Sequence, residues 1–243
     1  MQVTQCSSVK EAQARAGESL RALLMDAKSH SQPVLLLLSG GSAFSLLDAI
    51  HKDVLGVHVT IGVLDERFNK DEFINNFAQF TRTVFYSDAF VAGVTFIDTR
   101  VGENETQDLL VTRFEKALHD WVESHTDGVV MTTMGVGVDG HTAGIMPFPE
   151  HTTRFRQLFE DEKKWVVAYD AGDKNPYPLR VTVTMSFLRT RVNHTIVYVV
   201  GEEKKTVIEH IFSTEGSLPQ TPARIFHDMK DVYVFTSSVS QEP

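Results

Sequence analysis

Five consecutive apolar residues, Val34 to Leu38, run straight into Ser39-Gly-Gly-Ser42. A strand with no polar residue on either face needs cover on both faces, which is the situation of strands in parallel sheets. Pro33 separates this run from an upstream segment, Ser8 to Lys28, whose Ala, Leu and charged residues recur at helical spacing. After the glycines, "SAFSLLDAI" places Phe44, Leu46, Leu47 and Ile50 at helical spacing again.

The alternation continues along the chain. Strands are expected at "HVTIGVL" (58–64), "VTFIDT" (94–99) and "VVMTTM" (129–134). Further strands are expected at "KWVVAYD", "RVTVTM", "HTIVYVV" and "DVYVFTS". A long amphipathic helix is expected over 104–125, with Leu109, Leu110, Phe114, Leu118 and Trp121 on one side, and "EEKKTVIEHIF" supplies a helix between the last two strands. Strands alternating with helices imply an α/β fold with a mostly parallel central sheet and helices on both faces, Rossmann-like in plan. With no internal repeat and no linker, residues 1–243 read as a single α/β domain. In such sheets ligands sit at the carboxyl ends of the strands. Four polar clusters fall there: Ser39 to Ser42, Asp65-Glu-Arg67, Gly135 to His141, and Gly201 to Lys204.

Charge narrows the partners. The formal net charge is −9, which leaves no electrostatic footprint for a nucleic-acid backbone. An anionic ligand must therefore be held by a local group of Arg, Lys and backbone N–H groups. Cys6 is the one cysteine, so no disulfide forms within the chain, as suits a reducing compartment. The N-terminal stretch has no apolar core of the kind that marks a signal peptide, and no apolar run is long enough to cross a bilayer. A cytoplasmic protein without membrane contact is expected.

The segment "MGVGVDGHTAGIMP" (134–147) allows two readings. Gly135, Gly137 and Gly140 spell G-x-G-x-x-G after a strand, the pattern of dinucleotide turns. Pro147 and Pro149 stop any following helix within about two turns, the segment lies past mid-chain, and the acidic residues that follow, Glu160 to Glu162, come before the next strand and not at its end. The other reading centres on Asp139 and His141. A His on a glycine turn at a strand end, with a carboxylate to orient it, is a general base near neutral pH. The plainer alternative makes Asp139 the cap of a short helix beginning at His141.

The turn Gly40-Gly41-Ser42 permits close backbone approach to a phosphate and adds a hydroxyl, but lacks the lysine of a Walker loop. Arg67, Arg180 and Lys204 fall near strand ends and together offer the local positive field such a ligand needs. The ten histidines are scattered and no HExxH occurs, so no metal is expected.

Taken together these segments resemble the 6-phosphogluconolactonase family, within the superfamily it forms with the glucosamine-6-phosphate isomerases. "GVGVDGHTAGIMP" is similar to its G-x-G-x-D-G-H-x-A-S-x-F-P signature. "LSGGSAF", "LDERF", "LRVTVTMSFL", "VVGEEKKTVI" and "LPQTPARIF" follow in the family's order, over about residues 34–236. Arg67 stands where the related deaminases carry Tyr, and Met146-Pro147 stands where they carry a catalytic Glu. The chain departs from the lactonase pattern at Ala43, after the glycine turn, and in "FNKDEFINNF", which lacks a proline and in which Asn76 matches the family's Asn-aromatic pair.

The resemblance implies a NagB/RpiA/CoA-transferase-like fold and hydrolysis of 6-phospho-D-glucono-1,5-lactone in the pentose phosphate route, with no cofactor; the alternatives are a glucosamine-6-phosphate deaminase/isomerase-like enzyme and a non-catalytic sugar-phosphate-binding protein on the same fold. It implies His141 as general base, Asp139 or Asp65 orienting that base or the water, and Gly40, Gly41, Ser42, Arg67, Asn76, Arg180 and Lys204 as substrate-binding residues. The expected partner is a small phosphosugar lactone, with no nucleic acid and no membrane, and the chain is expected as a monomer or weak homodimer.

Overall fold

The structure, a computed structural model, describes residues 1–237. A short strand β1 (Gln2–Gln5) leads into helix α1 (Val9–Ser29), whose first turn is capped by Ser8 accepting the Glu11 N–H. Strand β2 (Val34–Leu38) is buried at every residue, as its composition requires. The residues after its glycines wind as a 3-10 helix, Gly41–Ala49. β3 (Val59–Val63), β4 (Asp65–Arg67), helices α2 (Asn76–Thr81) and α3 (Val84–Val91), and the two-residue β5 (Thr95–Phe96) follow. Then come α4 (Gln107–Ser124), β6 (Val129–Gly135), α5 (Thr152–Phe159), β7 (Val166–Asp170), β8 (Leu179–Val183) and α6 (Met185–Arg191). β9 (His194–Val200), α7 (Lys205–Phe212) and β10 (Asp231–Ser237) complete the described chain.

Seven strands form one parallel sheet in the order β1-β10-β9-β6-β2-β3-β5. Alternate residues of β2 face opposite ways. Leu35 and Leu37 pack with Phe114, Phe155, Phe187 and Ile211 from α4, α5, α6 and α7. Val34, Leu36 and Leu38 pack with Leu20 and Leu24 of α1 and with Phe77 and Phe80 of α2. Helices thus cover both faces of the sheet. Among the described residues no helix is long and apolar enough to cross a membrane.

One part of the architecture departs from a single sheet. β4, β8 and β7 form a separate three-stranded antiparallel sheet. The charged triplet Asp65-Glu66-Arg67, expected as the tail of a strand, is itself a strand in this sheet, with Arg67 directly opposite Arg180. In the parallel sheet the chain leaves β2 toward β3 on one side, while β6 lies on its other side. The loops after β2 and β6 therefore flank the switch in strand order, where a crevice opens.

Candidate active site

A cavity of about 290 Å³ lies at this switch point. Its wall includes Gly40, Gly41, Ser42, Asp65, Arg67, Asn76, His141, Arg180 and Lys204, nine of the ten residues singled out in the sequence. The tenth, Asp139, stands behind His141, with its Oδ1 2.6 Å from the imidazole Nδ1. A larger groove beside α4 has its charges already matched, with Arg113 on Glu105 at 2.9 Å and Lys116 on Asp120 at 2.6 Å.

The loop after β6 builds the dyad. No helix starts at His141, so Asp139 is not a helix cap; its Oδ1 takes both the backbone N–H (3.1 Å) and the ring of His141. Burial works to raise the Asp139 carboxyl, but the hydrogen bond from His141 and its charge outweigh it and hold the group below the usual carboxylate range. An ionised carboxylate can only accept, so Nδ1 carries the hydrogen, and in the neutral ring Nε2 holds the lone pair. Gly137 is required by close approach: a Cβ there would lie 2.0 Å from His141 Nδ1. The rest of the loop is pinned from outside. Thr142 donates to the Gly135 carbonyl at 2.8 Å, and the buried Tyr169 hydroxyl donates to the Gly144 carbonyl and accepts the Met146 N–H at 3.1 Å. The segment "LPQTPARIF" closes over it through the Ala223 N–H on the Gly140 carbonyl at 3.0 Å.

The opposite wall comes from the small sheet. Arg180, 4% exposed, donates to Asp65 Oδ2 at 3.2 Å. Asn76 Nδ2 donates to the Asp65 carbonyl at 3.0 Å. Gly144, at φ +68, leaves room for this carboxylate, which a Cβ would meet at 2.5 Å. Glu66, fully buried, points the other way. It accepts the backbone N–H groups of Arg67 (2.8 Å), Asn76 (2.5 Å) and Phe77 (3.0 Å) and the Thr99 hydroxyl (3.0 Å). Burial pushes its carboxyl up to about 8 against those hydrogen bonds. Its function here is structural: it ties β4 to the first turn of α2 and so fixes two residues of the wall.

The three cations of the pocket differ in how far their charge is already met. Arg180 is paired with Asp65. Lys204 donates to the Val136 carbonyl at 2.7 Å, and burial lowers its ammonium below the ordinary lysine value, with Glu203 and Asp139 opposing. Arg67 makes one long contact, Nη1 to the Ile74 carbonyl at 3.4 Å, and lies over the Tyr177 ring at 5.2 Å; its Nε is buried without a hydrogen-bond partner. Asn175 also lines the cavity, and sequence reasoning missed it together with Tyr177, because "DKNPYP" carries only a turn signal. Among the described residues no group of His, Cys, Asp and Glu is arranged to hold a metal.

Residues 7–234 match the family described as glucosamine-6-phosphate isomerases/6-phosphogluconolactonase. The chain belongs to this family. Two curated relatives match over shorter stretches. One is a Caenorhabditis elegans protein, 28% identical over 110 residues (45% of this chain, 38% of the relative). The other is a Bos taurus 6-phosphogluconolactonase, 32% identical over 93 residues (38% of this chain, 32% of the relative). The matched stretches thus span about a third of each relative's length. Solved structures of family members share the fold throughout. A 6-phosphogluconolactonase from Plasmodium vivax superposes with a TM-score of 0.76 at 12% identity, over 98% of this chain and 91% of that one. One from Leishmania guyanensis gives 0.71 at 22% identity, over 97% and 96%. The one from Trypanosoma brucei gives 0.75 at 19% identity, over 97% and 95%.

Proposed function

We propose that this family member is a lactonase that hydrolyses 6-phospho-D-glucono-1,5-lactone to 6-phospho-D-gluconate, acting in the cytoplasm in the pentose phosphate route. The observation that carries the reading is the Asp139–His141 pair at 2.6 Å beside a cavity lined by three cations. His141 Nε2 takes a proton from water as its oxygen attacks the lactone carbonyl carbon. The C1–ring oxygen bond then breaks, and the imidazolium returns the proton to the departing oxygen. The products are a carboxylic acid, which ionises, and the free 5-hydroxyl. Asp139 holds the ring and stabilises its charged form.

Arg67, with no carboxylate partner among the described residues, is assigned to the phosphate, and Lys204 and the Gly40-Gly41-Ser42 turn support it. Arg180, Asp65 and Asn76 form the wall beneath the sugar. The deaminase reading of the family finds no support at Met146, which is fully buried and apolar where the resemblance puts an acid.

Lactone generated in place from glucose 6-phosphate is expected to disappear faster with the protein than without it, and glucosamine 6-phosphate to release no ammonia. The reverse pair of results would make the protein a deaminase. The dyad's dependence on close packing gives a second test. Gly137→Ala forces the imidazole aside, since the clash is with a side chain rather than backbone. Loss of about 10- to 100-fold in kcat is expected, with an unchanged unfolding midpoint. Full activity in this variant would show that His141 need not sit where it does.

A further inference from the structure

The segment 175–177 lies outside every motif of the sequence, yet Asn175 lines the pocket and the Tyr177 ring lies against Arg67, which lines it too. Its local structure is stiff. Pro176 and Pro178 flank Tyr177, which fixes two φ angles and restrains the residue before each proline to extended backbone. Asn175 is extended, at φ −150 and ψ 143. The Asn175 Oδ1 accepts the Tyr177 N–H at 3.0 Å, and the Ala171 N–H donates to the Pro178 carbonyl at 2.9 Å, closing the turn between β7 and β8. Lys174 of the same turn lies 5.0 Å from the Phe148 ring, which follows the His141 loop.

What it meets is an electrostatic problem. Arg67 and Arg180 face each other across the β4–β8 pair, and like charges directly opposite are destabilising. Asp65 answers one of them. The other, Arg67, has an aromatic face at 5.2 Å and no anion among the described residues. An arginine over a tyrosine ring is attracted to it without losing its hydrogen-bond donors, so the guanidinium is held in place and stays available to a ligand.

We propose that Tyr177 is a positioning residue for the phosphate grip: its ring holds the Arg67 guanidinium toward the cavity, and Asn175 carries the same turn to the ligand's side. This rests on the phosphosugar reading of the pocket. Tyr177 acts through Arg67 and through its ring face, so its hydroxyl is dispensable.

The test titrates inorganic phosphate into the full chain and into Tyr177→Phe, Tyr177→Leu and Tyr177→Ala, and measures lactone hydrolysis on the same preparations. Tyr177 is 37% exposed, so these changes leave the core intact. Phenylalanine is expected to keep phosphate affinity within about twofold, and leucine and alanine to weaken it about fivefold. KM for the phosphorylated lactone rises by the same factor at constant kcat, and D-glucono-1,5-lactone, which has no phosphate, is hydrolysed as by the wild type. Equal phosphate affinity in all four proteins, no phosphate binding by any, or leucine behaving as tyrosine overturns the proposal. Tyr177-dependent phosphate binding in a protein that leaves the lactone at its spontaneous rate removes the lactonase reading alone and keeps the positioning role.

Discussion

His141→Ala is expected to reduce the enzymatic part of lactone hydrolysis by about 10²- to 10⁴-fold, the range of a positioned general base. The lactone also opens spontaneously, so the residual rate will merge with the uncatalysed background. Asp139→Asn is expected to fall between wild type and His141→Ala. An amide can present its NH₂ to Nδ1 and so turn the imidazole to the tautomer whose Nε2 bears the hydrogen, leaving no base toward the water. Initial rates with excess glucose-6-phosphate dehydrogenase, less the enzyme-free rate, measure both. Because the Asp139 carboxyl is held below its ordinary value, it stays ionised through neutrality. Its contribution to stability has the same sign: present above the unfolded carboxylate value, and lost as pH falls through the lower folded one. A His141→Ala protein with wild-type activity would leave the dyad without a catalytic role.

The second large effect is on stability. Arg180→Ala leaves Asp65 beneath the pocket with its side chain 8% exposed and its cation gone. Removing one partner of a buried ion pair costs about 3–5 kcal/mol, because the remaining charge is neither solvated nor paired. For a chain of this size that lowers the thermal midpoint by about 10 °C. Asn76 still donates to Asp65, at 3.4 Å to Oδ2, but one long neutral contact does not replace a guanidinium. Urea or thermal unfolding of the purified variant checks the figure. A loss under 1 kcal/mol would mean that water reaches Asp65 freely, and that Arg180 is held for the ligand rather than for the fold.

The parts of the fold that were legible in the sequence are those where burial writes a one-residue-at-a-time apolar signal. β9 and β10 have the bounds expected from "HTIVYVV" and "DVYVFTS", and β6 runs one residue further, to Gly135. β1 escaped notice because "QVTQ" is an exposed edge strand held by β10 alone. α2 escaped because it is only six residues long, and α3 because it exposes Val84, Phe90 and Val91 and so lacks a clean division into apolar and polar faces. The separate antiparallel sheet could not be read locally, since β4 is three polar residues whose partners lie 115 positions away. Of the candidate site, the sequence shows the residues that share one cavity: the glycine turn, His141 and the cations expected at strand ends line it together, whereas Asn175 and Tyr177 look like any proline turn until β4 and β8 are brought together.

That long-range pairing has a consequence for how the protein comes to be active. The glycine turn after β2, the His loop after β6 and the lysine after β9 are drawn together by the parallel sheet, but the cationic wall exists only once β4 has found β8. Closing such a loop has an entropic cost before any contact returns it, so non-local pairings of this kind form late. The β4–β8 pairing joins residues more than a hundred positions apart, so the cationic wall cannot be assembled before the chain has been made through β8. A ligand held by that wall has nothing to grip until the two strands have paired, and it then stabilises the finished protein by mass action.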